Sequence, residues 1–136
     1  MVALEAWFDR DADDPAIVRT AEELDTLLDT VAAWPRPSTV QLLIADDLGR
    51  AVLDVGLDGT HGRGVLYYSG PEWPDACASQ GTDTATPSPI YYYMGSDTEY
   101  PPTAEIPLAD VLRAAHEYMT TGGERPTGIK WQPWFD

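Results

Sequence analysis

Apolar and polar positions alternate with two different periods along this chain, and the switches between them mark its elements. Val2, Leu4, Ala6 and Phe8 share one face of a two-residue repeat, which predicts a first strand over Val2 to Phe8. A charged connection, Asp9 to Pro15, follows. Leu24, Leu27, Leu28 and Val31 then recur at helical spacing. Ahead of them Thr20–Ala–Glu–Glu23 has the spacing of a capping box, and Glu22, Glu23 and Asp25 favour the positive end of the helix dipole. Pro35 and Pro37 stop this helix.

Three strand-like runs come next. Thr39 to Ala45 is almost wholly apolar, as in a central strand covered on both faces. Asp46–Asp47–Leu48–Gly49 makes a tight connection to Ala51–Gly56, and Leu57–Asp58–Gly59 opens another turn before Gly64–Ser69 returns. The result is an antiparallel meander. From Gly70 to Pro89 the chain changes to Ser, Thr, Asp, Gly and Pro, which predicts a long loop with Trp73 as its anchor. Ile90 to Met94 predicts a further strand, and Gly95 to Glu105 a second loop carrying Asp97, Glu99 and Tyr100.

Pro107 suits the first turn of a second helix, with Leu108, Val111, Leu112, Ala115 and Met119 as its apolar stripe. Thr121–Gly122–Gly123 ends it, because glycine tolerates the left-handed cap. Gly128 to Gln132 predicts a last short strand. Without repeats or a linker, the 136 residues read as one α+β domain over 1–136. The expected architecture is a mostly antiparallel sheet of about five to six strands with two main helices packed on it.

Charge changes this picture most. Against 8 basic residues stand 23 acidic ones, a formal net charge of −15. Such a field repels nucleic acid and anionic membranes and favours encounter with a basic partner. It also keeps a protein soluble, which is the plainer reading. Cys77 is the sole cysteine, so no internal disulfide forms. Glu5 and the acids after Asp9 do not fit a secretory signal, and no apolar run approaches the ~20 residues of a membrane span, so the cytoplasm is the expected compartment.

Candidates for catalysis are few. His61 lies in the turn Gly59–Thr–His–Gly62 and reads as solvated; His116 reads as a helix-surface residue. Cys77 has no base near it in sequence. Two histidines and one cysteine match no zinc spacing, and Asp11, Asp13 and Asp14 lack the glycine and terminal glutamate of a calcium loop. Gly59–Thr–His–Gly–Arg–Gly64 joins two strands and is neither phosphate-binding fingerprint. Close carboxylate pairs are expected by chance among 23 acids. The expectation is a non-enzyme with no catalytic residue, no metal and no cofactor.

Aromatic residues mixed with acids remain. Alternation sends Tyr91 and Tyr93 to one face of their strand and Tyr92 to the other, so at least one faces outward. Tyr67 and Tyr68 repeat the arrangement, and Trp131, Trp134 and Phe135 crowd the C-terminus. About half of these are expected to pack as core. The rest, beside Glu72, Asp97 and Glu99, have the aromatic enrichment of interface cores.

The second half of the chain resembles the Imm1 family of bacterial immunity proteins. The resemblance rests on Gly64–Val–Leu–Tyr–Tyr68 with Gly70 and Trp73, on Tyr91–Tyr–Tyr–Met–Gly95, on Glu99–Tyr–Pro101, and on the Pro107 helix. It continues through Thr121–Gly–Gly–Glu–Arg–Pro126 and Gly128–Ile–Lys–Trp–Gln132. The resemblance implies a cytoplasmic antidote that binds the toxic domain of a polymorphic toxin, commonly a nucleic-acid (cytidine) deaminase, and occludes its active site or substrate groove. Such a toxin is basic in order to hold a polyanion. The predicted toxin-binding set is Glu72, Trp73, Tyr91, Tyr92, Tyr93, Asp97, Glu99, Tyr100 and Trp131, with no nucleic acid or membrane as partner. The alternative is an acidic DNA mimic, an anti-nuclease protein or another adaptor for a basic partner.

Overall fold

The computed structural model describes residues 3–45, 51–71 and 73–134, with 73–75 described by backbone alone. The expected strands at Val2, the Asp46–Gly49 turn, Glu72 and Phe135 therefore fall wholly or partly outside the described residues. Among the described residues there are ten strands and two helices: β1 Leu4–Trp7, β2 Ala16–Val18, α1 Ala21–Ala32, β3 Ser38–Ile44, β4 Val52–Asp58, β5 Arg63–Gly70, β6 Trp73–Gln80, β7 Ile90–Tyr93, β8 Ser96–Glu99, β9 Ile106–Pro107, α2 Leu108–Thr121 and β10 Lys130–Pro133. The main path of the sheet runs β10-β6-β5-β4-β3-β1-β2, and both helices pack on it. The class is α+β as expected, but the sheet is larger than the five to six strands predicted.

Two stretches predicted as loops account for much of the difference. Trp73–Gln80 is a strand because its backbone is paired on both sides, with β5 through Tyr68↔Cys77 and with β10 through Trp131↔Ser79. Ser96–Glu99 is a strand because Met94 (φ 50) and Gly95 (φ 91) form a two-residue turn that folds it back on β7. Positive φ at both central positions is the hairpin turn whose twist matches that of the strands. Glycine adopts it freely, whereas Met94 does so at a cost of about 1 kcal/mol. Polar composition pointed to loops at both places, and backbone pairing overrode it.

The meander β3–β4–β5 is antiparallel in continuous register, from Thr39↔Gly56 and Val40↔Val55 to Val55↔Leu66 and Gly56↔Val65. Period two then separates its faces. Val40, Leu42, Leu53, Val55, Leu57 and Leu66 are buried in the main core with Leu24, Leu28 and Val31 of α1 and Val111, Ala115 and Met119 of α2. At about 1.5–3 kcal/mol for each fully buried aliphatic side chain, this layer is the chief source of stability. The Thr20 capping box is formed: Glu23 N donates to Thr20 Oγ1 at 3.1 Å, and Thr20 N donates to Glu23 Oε1 at 3.2 Å. Gly122 closes α2 in the left-handed conformation, as expected.

Tyr118 was not among the predicted core positions of α2, yet it is fully buried. Its hydroxyl lies 3.1 Å from Leu42 O and 2.8 Å from Ala51 O, tying the helix to the backbone of the sheet. His116 Nε2 meets Asp25 Oδ1 of α1 at 2.6 Å, so the two helices are also linked at their surface.

The opposite face is only partly covered. At the start of β3, Ser38 pairs in parallel with Tyr92, and Tyr92 N donates to Pro37 O at 2.9 Å. This seats the β7–β8 hairpin, with Tyr91 packed down on the sheet. Tyr91 fits because position 56 is glycine. A Cβ there would stand 2.9 Å from Tyr91 Cδ2 and closer still to Val65. Tyr91, Val65, Tyr100 and Ala104 form a second, smaller core, with Tyr67 and Trp134 against it.

Candidate functional site

Between this hairpin, the C-terminal segment and the bare part of the sheet lies a cleft of about 250 Å³. Outward positions of the meander make its floor: Thr39 and Gln41 of β3, Asp54 of β4, Tyr67 and Ser69 of β5. Tyr93 and Thr98 of the hairpin, with Tyr100 and Trp134, make its walls. The walls are braced ring against ring. Tyr67 meets Trp134 edge-on at 5.7 Å between centroids, Trp134 meets Tyr100 at 4.5 Å, and Tyr100 meets Tyr91 at 5.6 Å.

Asp54 is the group that sets the chemistry of this cleft. It is a carboxylate in the middle of a central strand, hydrogen-bonded to the side chain of Gln41. Tyr93 in turn donates its hydroxyl to Gln41 Oε1 at 3.4 Å. Asp54 Oδ1, sealed from solvent, has no hydrogen-bond partner among the described residues. Burial raises the pKa of Asp54 from 3.8 to about 6, and the bond from Gln41 opposes that rise. Burial, with Asp54 as a neighbouring charge, also pushes the Tyr93 hydroxyl up. None of the described residues lining the cleft is a cation.

The predicted contact residues divide by strand parity. Tyr93 lines the cleft. Tyr91 is fully buried, its hydroxyl donating to Glu105 Oε2 at 2.8 Å, and Tyr100 is buried beside it; both brace the site from beneath. Tyr92 is on the outer face of the hairpin, with the Arg36 guanidinium 3.7 Å from its ring centre. Asp97 pairs with Tyr92 and Glu99 with Ile90, so the outer face carries both exposed acids beside Tyr92 and the half-exposed Ile90. Trp131 is on the other side of the sheet: it packs on Tyr68, and its Nε1 donates to Pro126 O at 3.1 Å. Trp73 stands opposite Gly70 at the end of the β5–β6 ladder, with its side chain, like all of Glu72, outside the described residues.

Asp54 and Gln41 were missed in the sequence, where an acid between Leu53 and Val55 looks like an ordinary solvent-facing position. The available signal was an acid within a strand otherwise rich in Val and Leu, a place acids usually avoid.

A larger hollow of about 640 Å³ opens near the 59–64 turn and contains no aromatic cluster. Three of its lining residues, His61, Arg63 and Glu105, are tied up by contacts with one another or with Asp58. Arg63 Nε is 3.3 Å from Glu105 Oε2 and 3.9 Å from Asp58 Oδ2, and His61 Nδ1 is 2.9 Å from Asp58 Oδ2. Asp58 and Glu105 thus form a carboxylate pair beside His61, but both are held by Arg63. Cys77, predicted in a loop, is buried on β6 far from this pair in register, its Sγ 3.6 Å from Tyr68 O. Among the described residues no three His, Cys, Asp or Glu side chains gather as metal ligands, and no helix is long and apolar enough to cross a membrane.

Residues 12–133 match the family model described as Immunity protein Imm1. No curated protein matches the chain.

Proposed function

Because the chain belongs to the Imm1 family of immunity proteins, it acts against a cognate toxin, and we propose that it does so by occlusion, without chemistry of its own. In this reading the partly covered sheet face and the β7–β8 hairpin are laid over the active site or substrate groove of the toxin domain. That domain is basic and is a nucleic-acid deaminase, acting on cytidine, and the complex forms in the cytoplasm. The observation that carries the reading is the cleft: acid at its floor, aromatic at its walls, with no cation among its described lining residues, in a chain of net charge −15. A surface that holds a polyanion is basic, and this face complements it.

The interface then centres on Tyr93 and the cleft, with Tyr92, Asp97 and Glu99 at its rim and Trp73 at the far end of the β5–β6 ladder; Glu72 stays in the proposed contact set on its sequence alone. Tyr91 and Tyr100 support it from below. Trp131, on the helix-bearing side, drops out of the contact set.

Co-expression with the toxin encoded beside this gene tests the proposal. The protein is expected to restore growth, to co-purify with the toxin domain, and to abolish deamination of a single-stranded oligonucleotide at equimolar ratio. Failure to rescue or to co-purify would overturn it, as would rescue by a protein that leaves the purified toxin fully active.

A further inference from the structure

The cleft is more particular than a generally acidic surface requires. A charge that only steers a partner works best when solvated at the rim, as Asp97 and Glu99 are. Asp54 is instead sunk in the floor, with one carboxylate oxygen lacking any partner among the described residues. A buried acceptor without a donor is costly, and such groups in folded proteins call for an explanation. Gln41 satisfies one side of the group, and Tyr93 holds Gln41 in place. Among the described residues no donor reaches that oxygen, which leaves a place for one from outside.

The aromatic lining defines that donor further. Tyr67, Trp134 and Tyr100 present aromatic surface fixed by mutual ring contacts. Ring faces attract cations, and a planar guanidinium can stack on them while it hydrogen-bonds a carboxylate in the same plane. A lysine ammonium, compact and strongly hydrated, would have to shed more water to reach the same place. We propose, building on the toxin-binding reading above, that the cleft receives a single arginine side chain of the toxin, with Asp54 as its counter-ion, Tyr67 beside it in the floor, and Tyr93 and Trp134 as walls. The arginine is the anchor of the interface, and the exposed acids of the hairpin are its steering rim.

Two measurements separate this inference from the reading it rests on. The first needs no toxin: N-acetyl-arginine amide is titrated into the free protein and followed by the indole and side-chain amide resonances of Trp134 and Gln41. Saturable shifts confined to the cleft are expected, weaker by severalfold with N-acetyl-lysine amide and absent in Asp54→Asn. No shift in the wild-type cleft, or equal response to the lysine probe, overturns the arginine assignment whatever the toxin does. The second uses the toxin complex. Asp54→Asn is expected to weaken binding by at least about thirtyfold, mainly through faster dissociation. One toxin Arg→Ala change should produce the same loss and add nothing to Asp54→Asn. A tight complex that is indifferent to Asp54→Asn rejects the anchor while leaving the immunity function standing. Unfolding midpoints of each variant exclude misfolding as the cause of lost binding.

Discussion

Replacing Asp54 by Asn should make the free protein more stable at neutral and alkaline pH, although the same change removes the group placed at the heart of the site. The carboxyl is raised from 3.8 to about 6 by burial, so between those values the folded state holds a proton that the unfolded state has released. Stability therefore falls as pH rises through that window, and the loss is complete above it. At 1.36 kcal/mol for each tenfold change, the rise corresponds to about 3 kcal/mol of destabilisation at pH 8. Asn keeps the shape and can still bond Gln41, without the charge. The ionisable groups facing Asp54 in the cleft are Tyr93 of β7, Tyr67 of β5 and Tyr100. Urea unfolding followed by tryptophan fluorescence at intervals from pH 4 to 8 reads the effect. The two proteins should coincide near pH 4 and diverge until Asp54→Asn is ~2–3 kcal/mol more stable at pH 8, a midpoint shift of about 1–2 M urea. The many other acids titrate in both proteins and cancel in the difference. Parallel curves across the range, or a less stable variant at pH 8, would show that Asp54 is not a buried charge held against its solvation.

Three further outcomes are predicted. Gly56→Ala should cost about 1–3 kcal/mol by driving a methyl into Val65 and the Tyr91 ring; toxin binding should fall more than stability alone explains, because the hairpin is displaced with Tyr91. Tyr118→Phe should lose about 1–2 kcal/mol in urea unfolding by removing the hydroxyl shared between Leu42 O and Ala51 O, and an unchanged midpoint would mean those bonds contribute nothing net. Asp97→Asn, at the exposed rim, should slow association with the toxin by roughly two- to fivefold and flatten its salt dependence, leaving dissociation unchanged in stopped-flow measurements.

Much of the helical layer was legible from local pattern. The Thr20 capping box, the Leu24–Leu28–Val31 stripe and the Gly122 cap are all interactions within a few residues, so spacing alone specified them. The meander was legible for a similar reason, since its apolar runs are separated by short turns. The strands at 73–80 and 96–99 were not. Small and polar residues there have little intrinsic strand preference, and they become strands by pairing with β5, β10 and β7.

The acid excess, the aromatic residues of Ile90–Tyr93 and the near-absence of catalytic groups are properties of the sequence, and with the ordered motifs of the second half they sufficed to point to an immunity protein. Which acid matters was a tertiary decision. Asp97 and Glu99 stand beside the aromatic run in sequence, but strand parity turns them outward to solvent. Asp54, nearly forty residues upstream of Tyr93, becomes the acid of the cleft because β4 lies mid-sheet and the hairpin closes over its outer face. Burial depends on what long-range pairing brings overhead. The spacing of one strand cannot carry that information, and the unmet charge on Asp54 exists only once the sheet and hairpin have come together.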